Sequence, residues 1–354
     1  MKLSDFDYYL PKDLIAQEPV KPRDCSRLLV LRRSGCQIAH RRFYEIADYL
    51  NEGDILVLNN SKVFPARLLG RKEKTGGRIE VFLLRPVRGR RWQCLLGGHG
   101  RRAGLKLIFR SSLKAEVVKD NGDGTWEVKF NCSGAELKQI VNRIGLVPLP
   151  PYIKRKPDED QKRRDKESYQ TVYADERKVG SVAAPTAGFH FTKRLIKKLK
   201  NNGVRFEFVT LHVGLGTFAP VKVYDITKHK MHSEWVEVSA KTIKNIIKAK
   251  EEGRRIIAVG TTSVRTLEAA ADYILDSRTK VSPRKFQGWV DIFIYPPYQF
   301  KLVEAMITNF HLPKSTLLML VSAFASRKCI DKAYQYAIKE RYRFYSYGDA
   351  MFIY

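Results

Sequence analysis

No run of apolar residues in this chain approaches the ~20 needed to cross a bilayer. The longest candidate, residues 317–321 with their neighbours, is short enough to read as a buried helix. The amino terminus carries Asp5 and Asp7 and lacks a basic region leading into an apolar stretch. No secretory leader is therefore expected, and the expected compartment is the cytoplasm. Cysteine is scarce: five residues, at 25, 36, 94, 132 and 329, with no pair spaced as in a zinc knuckle or redox motif. Small buried or half-buried thiols are expected. A G-x-G-x-x-G fingerprint is missing, which argues against the common methyltransferase and dinucleotide folds. So are internal repeats and low-complexity segments. Between Glu80 and Glu116 there is no acidic residue at all.

What the chain does have is positive charge and a core. Its 354 residues hold 65 Lys and Arg against 37 Asp and Glu, a net charge of +28, which favours a polyanionic partner and nucleic acid over membrane. Apolar residues at 44% and aromatics at 11% exclude wholesale disorder. The acid-free stretch carries Arg85, Arg88, Arg90, Arg91, Arg101, Arg102, Lys106, Arg110 and Lys114, with Trp92 and His99 interleaved. A solvated face ordinarily mixes signs, so this stretch reads as a phosphate-contacting surface, with Arg90, Arg91, Arg101 and Arg102 as its nucleic-acid-binding candidates. The competing reading is a uniformly basic composition.

Residues 27–31 and 55–58 are apolar runs bounded by turns and read as buried strands. From about Leu68 to Asn131 five short β runs follow (79–84, 92–96, 105–109, 115–118 and 125–130). Asn121-Gly122-Asp123-Gly124 is a hairpin signal among them. Such spacing without intervening helices suggests a small closed barrel. After Pro148-Leu149-Pro150-Pro151 comes a basic segment, Lys154 to Lys166, and then alternating strand and helix. Thr192 caps a basic helix ending at Gly203, Ser239 opens another ending at Gly253, and residues 255–260 form the next strand. Helical spacing recurs at Ile330, Ala333, Tyr334 and Ala337. The expected fold is a large mixed α/β domain, residues 1–66 plus 152–354, with an inserted all-β barrel, residues 67–151.

Several segments carry chemistry. Val259-Gly260-Thr261-Thr262-Ser263 hands a strand over to a helix, where free N–H groups, three hydroxyls and Arg265 would suit a carboxylate; a plain helix cap is the alternative. His229 and His232, three apart with no third ligand in sight, do not make a metal site. His232 and Glu234 are two residues apart and would share a face of an extended segment, as an acid–base pair. His190 and His212 lie in glycine-flanked segments that would allow close approach of a ligand; each alone could equally be a hydrogen-bonded core histidine. Asn309 and His311, ahead of the Ser315 cap, could line a substrate site or form a buried polar turn. Phe189, Phe191, Trp235 and Tyr295 are core by default, though one or two could face a cation or stack on a base.

Four runs follow one another in the middle of the chain. They are Ala183-Ala184-Pro185-Thr186-Ala187-Gly188-Phe189-His190-Phe191, Thr210-Leu211-His212-Val213-Gly214-Leu215-Gly216-Thr217-Phe218, His229-Lys230-Met231-His232-Ser233-Glu234-Trp235 and Val259-Gly260-Thr261-Thr262-Ser263-Val264-Arg265-Thr266-Leu267-Glu268. With Phe6-Asp7-Tyr8-Tyr9-Leu10-Pro11, Tyr169-Gln170-Thr171-Val172-Tyr173-Ala174 and Thr308-Asn309-Phe310-His311-Leu312-Pro313, they make the whole chain resemble the S-adenosylmethionine:tRNA ribosyltransferase-isomerases of queuosine biosynthesis. Ala219 and Pro297 depart from the family's expected arginine and glycine, and the segment from Lys154 to Lys166 is unusually basic. The resemblance implies the same two-part fold. It implies a monomer that takes S-adenosylmethionine as co-substrate, with no metal or permanently bound cofactor, and tRNA carrying 7-aminomethyl-7-deazaguanine at the wobble position. Epoxyqueuosine-tRNA, adenine and methionine would be the products. On this reading His190, His212, His232 and Glu234 converge on the ribose and sulfonium. Thr261, Thr262, Ser263 and Arg265 take the amino-acid end, with Asn309 and His311 nearby. A non-catalytic RNA-binding factor and a tRNA methyltransferase are the competing classes.

Overall fold

The uninterrupted apolar runs of the sequence become the centre of a nine-stranded sheet in the computed structural model, which describes residues 1–155, 158–214 and 221–354. The chain opens with β1 (Arg27–Arg32), β2 (Gln37–Arg42), β3 (Ile55–Asn59) and β4 (Lys62–Val63). The barrel strands follow: β5 (Arg67–Lys72), β6 (Arg78–Arg88), β7 (Arg91–Gly97), β8 (Lys106–Ile108), β9 (Lys114–Asp120) and β10 (Trp126–Phe130). Then come β11 (Val179–Ser181), β12 (Arg205–His212), β13 (Glu234–Val238), β14 (Ile256–Val259), β15 (Phe286–Val290), β16 (Ala305–Asn309) and β17 (Ala350–Ile353). The large sheet has the order β15-β13-β12-β3-β14-β16-β17-β1-β2, with β12, β3, β14 and β16 mutually parallel.

Parallel strands covered on both faces need apolar side chains at every position, not at alternate ones. β3 meets that demand: Ile55 and Val57 enter one core cluster, Leu56 and Leu58 the other. β14 divides in the same way, Ile256 and Ala258 against Ile257 and Val259. Helices cover both faces. On one, α3 (Lys193–Asn201) buries Leu195 and Leu199, and Thr192 caps it by accepting from the Leu195 N–H at 3.1 Å. On the other lie α4 (Ala240–Glu251), capped by Ser239 and burying Ile243, Ile246 and Ile247, and α5 (Thr261–Ala269) with Val264 and Leu267 inward. The short α6 (Ala271–Leu275) and α7 (Ser277–Val281) follow. The apolar α8 (Thr316–Ala325) and α9 (Arg327–Lys339) then complete that layer.

Between β4 and β11 in sequence, six antiparallel strands close into a barrel in the order β10-β7-β6-β5-β8-β9. Closure removes the exposed edges that such short strands would otherwise present. Alternate residues fill the interior: Ile79, Val81 and Leu83 from β6, Trp126, Val128 and Phe130 from β10. The chain enters and leaves the barrel side by side, through the Arg67–Leu146 bridge. There a Cβ on Gly145 would lie 2.1 Å from the Pro65 carbonyl oxygen, so only glycine fits.

Three features differ from expectation. Helix α1 (Gly134–Ile144) was not anticipated; it packs Leu137 and Val141 against the barrel interior. The basic segment after Lys154 is helical in part, as α2 (Glu159–Ser168), where the Asp158 carboxylate accepts from the Asp160 and Gln161 N–H groups. And the cysteines are not all free thiols. Cys36, just before β2, is disulfide-bonded to Cys329 on α9, 293 residues away, while Cys25, Cys94 and Cys132 remain free. Ala219 lies outside the described residues, and Pro297 follows a cis Pro296–Pro297 peptide bond. No helix among the described residues is long and apolar enough to cross a membrane.

Candidate active site

In an open parallel sheet, ligands bind beyond the carboxyl ends of the strands. A cavity of about 100 Å³ opens there, off the ends of β14 and β16. Gly260 turns the chain from β14 into α5 with φ +85°, a left-handed conformation that side chains resist, and its N–H donates to the Ile307 carbonyl at 2.7 Å. Thr261 and Thr262 line the cavity from the first turn of α5, where backbone N–H groups have no helical acceptor. The Thr262 hydroxyl is buried and without a partner. Across from it run Ala183 to Ala187; β16 contributes Thr308 and Asn309, and the segment just after it His311. Tyr152, Tyr169, Tyr345 and Ser346 close the far side.

Hydrogen bonds fix this rim. The Asn309 amide donates from Nδ2 to the Tyr345 carbonyl at 2.8 Å, which turns its Oδ1 toward His190. His190 Nε2–H then donates to Asn309 Oδ1 at 3.3 Å, leaving Nδ1 to accept from the Ser26 hydroxyl at 2.7 Å. His190 is only 4% exposed, and burial pushes its pKa down to about 4. His311 shares a 2.8 Å hydrogen bond between Nε2 and the Thr308 hydroxyl; its backbone N–H donates to the Tyr334 hydroxyl at 2.9 Å, and burial lowers the imidazole pKa to about 3. Both imidazoles are therefore neutral near pH 7. His311 lines the cavity, whereas His190 stands one hydrogen bond behind it.

The other expected residues do not gather there. Ser263 is buried and donates to the Val259 carbonyl at 2.8 Å, four residues back in its own turn, so its hydroxyl is not offered to a ligand. Arg265 forms a buried ion pair with Glu234, and its Nε donates to the Ile292 carbonyl at 3.3 Å. Glu234 also accepts from the Gly214 N–H at 2.9 Å. The expected His232–Glu234 pair is absent: β13 begins at Glu234, so His232 lies before the strand and is exposed. His212 is half-buried on the sheet face opposite Leu211; its Nδ1 is without a partner, and burial, with Lys178 next in effect, lowers its pKa. Part of its motif, residues 215–218, lies outside the described residues.

The four barrel arginines divide between two ends. Arg90 and Arg91 sit at the β6–β7 turn, and Arg101 and Arg102 in the loop after β7, about 20 Å away along the strand. Arg91 is paired with Glu127 at 2.8 Å, and Arg101 donates to the Leu96 carbonyl at 2.8 Å. Among the described residues no group of three His, Cys, Asp or Glu could hold a metal ion. Sequence reasoning missed Thr308, Tyr152, Tyr345 and Ser346 as lining residues. Tyr152 follows the proline-rich turn at 148–151, and Tyr345 has φ +71°, a conformation no local pattern announces.

Comparison with known proteins adds an independent line. A profile of the family described as queuosine biosynthesis protein matches residues 3–353. The chain is 52% identical over 354 residues to the S-adenosylmethionine:tRNA ribosyltransferase-isomerase of Sulfurihydrogenibium sp. (strain YO3AOP1), covering 100% of both chains. It is equally 52% identical, over 355 residues and 100% of both chains, to the protein of that name from Acetivibrio thermocellus. Among solved structures it resembles the S-adenosylmethionine tRNA ribosyltransferase of Thermotoga maritima, with a TM-score of 0.55 and 40% identity, over 99% of this chain and 100% of that one.

Proposed function

The chain belongs to the queuosine biosynthesis protein family, and from that premise we propose its reaction. It transfers the ribosyl part of S-adenosylmethionine to a 7-aminomethyl-7-deazaguanine base at the tRNA wobble position and isomerises it. Epoxyqueuosine-tRNA, adenine and methionine are the products. S-adenosylmethionine is consumed as a co-substrate. The observation that carries this reading is 52% identity, end to end, to two proteins named for this activity.

The chemistry asks for a proton to be removed beside the sulfonium, where the positive sulfur acidifies it, and for adenine to depart. The cavity supports a division of labour. The N–H groups at the start of α5 and the unpartnered Thr262 hydroxyl suit the carboxylate of the amino-acid end. Tyr152 and Tyr345, ring centroids 4.7 Å apart, offer aromatic faces to a cation. His311 is held neutral by burial and takes a proton reluctantly at pH 7, so it serves as a hydrogen-bonding group in the cavity wall, oriented by the Thr308 hydroxyl. His190 acts through Asn309, as a positioning residue, and the Glu234–Arg265 pair braces the strand and helix behind the cavity. Residues 67–151 form the tRNA-engaging barrel domain, and residues 1–66 plus 152–354 the catalytic one.

Product analysis tests the reading. Protein, S-adenosylmethionine and precursor-bearing tRNA should release adenine and methionine in equal amounts. S-adenosylhomocysteine as the main product would reassign the chain to methyl transfer.

A further inference from the structure

Three side chains stand in a row across the edge of the large sheet. His212, Trp235 and Trp289 are register partners on β12, β13 and β15. Side chains alternate across a strand, so all three face away from Leu211 and Val236, which are buried on the other side. The Trp235 and Trp289 rings meet edge to face, centroids 5.8 Å apart at 74°. Trp289 is 53% exposed, an unusual place for the largest side chain. From the barrel, the Arg85 guanidinium reaches over the Trp289 ring at 5.2 Å, held by its Nε donating to Gln93 Oε1 at 2.6 Å.

The surroundings decide the partner. Arg88 and Arg90 are exposed on the same β6–β7 hairpin as Arg85, and none of the three makes an ion pair among the described residues. Two nearby carboxylates are spent on other cations, Glu127 on Arg91 and Glu237 on Lys178, while Asp123, bonded to the Thr125 hydroxyl, lies close enough to Arg85 to feel its charge. A half-exposed indole beside Arg88 and Arg90, which have no ion pair among the described residues, fits an unstacked nucleobase and its phosphates, since every base has a π face and every nucleotide a charge. A protein partner's apolar surface would leave those arginines without counter-charge. Trp289 lies four inter-strand spacings from β14, about 19 Å, in the same sheet whose carboxyl ends the cavity opens from.

We propose that Trp289, backed by Trp235 and Arg85, is a stacking platform for an unpaired base of the RNA substrate. That base lies a few nucleotides from the one entering the cavity, and Arg88 and Arg90 contact its phosphates. The proposal rests on the tRNA reading above. Trp289→Ala should raise the KM for precursor-bearing tRNA about 5- to 150-fold, the range of a lost base–aromatic stack. kcat at saturating tRNA and the KM for S-adenosylmethionine should stay unchanged. Trp289→Tyr, which keeps a ring, should recover most of the affinity, and Arg85→Ala should weaken tRNA binding in the same direction. If wild type releases adenine and methionine but Trp289→Ala matches it in tRNA KM, the platform is refuted and the reaction stands. If wild type releases neither, the reading itself falls and the platform with it. A variant that leaves tRNA KM intact but changes the sedimentation coefficient overturns the proposal in favour of a contact between copies.

Discussion

His190 and His311 flank Asn309 as buried neutral imidazoles, with pKa values near 4 and 3. A histidine whose folded pKa lies below its unfolded value, about 6.5, binds its proton less well when folded. Unfolding therefore takes up protons below pH 6.5, and stability falls as pH drops toward 4. Each imidazole contributes on the order of 3–5 kcal/mol to that loss once the pH is below its folded pKa. Urea unfolding between pH 7 and 4 should show the decline, with a shallower slope in His190→Asn; a flat profile would contradict the burial argument. For catalysis, His311→Asn should cut turnover by about 10-fold with tRNA affinity intact, as for loss of one hydrogen-bonding group from the cavity wall. His232→Ala should leave single-turnover rates near wild type. The sequence pattern suggested the opposite emphasis, because a two-residue alternation places His232 beside Glu234 only if the strand already exists at 232. It begins two residues later.

At the scale of elements, helix caps and doubly buried strands were legible because they are local. Thr192, Ser239 and Ser315 each cap the helix expected of them. The burial of β3 and β14 on both faces follows from their unbroken apolar runs. What local pattern does not carry is pairing between distant elements. The Cys36–Cys329 bond joins residues 293 apart, and no spacing rule reaches that far. The Glu234–Arg265 pair couples β13 to α5 as a buried ion pair, a contact that residue type alone does not announce. Removing one partner of such a pair leaves an uncompensated charge, at a cost of about 3–5 kcal/mol. Arg265→Ala should lower the unfolding free energy by that amount. The double variant Glu234→Leu/Arg265→Met should recover much of it. Additive losses in the double variant would show that the two residues act independently.

At the scale of the whole molecule, a basic barrel is inserted into a domain whose mixed sheet carries a cavity off the carboxyl ends of β14 and β16. The acid-free stretch from 81 to 115 announced a basic surface, but strand geometry distributes its arginines over both ends of β7. The ends should not contribute equally to tRNA binding. Each phosphate contact adds about one unit to the slope of log affinity against log salt. Replacing Arg88 and Arg90 with alanine should flatten that slope by about 2. Replacing Arg101 and Arg102 should do less, since Arg101 is already engaged with the Leu96 carbonyl. Equal effects at both ends, read from binding titrations across salt, would mean that the RNA spans the entire barrel.

The central claim is that the ribosyl part of S-adenosylmethionine, and not its methyl group, reaches the tRNA. A doubly labelled co-substrate, carrying one isotope in the ribose and another in the methyl group, separates the two fates in a single incubation with precursor-bearing tRNA. The account predicts ribose label in the tRNA nucleoside, with methyl label recovered quantitatively in free methionine. Methyl label in the tRNA, with the ribose label left in S-adenosylhomocysteine, would contradict it.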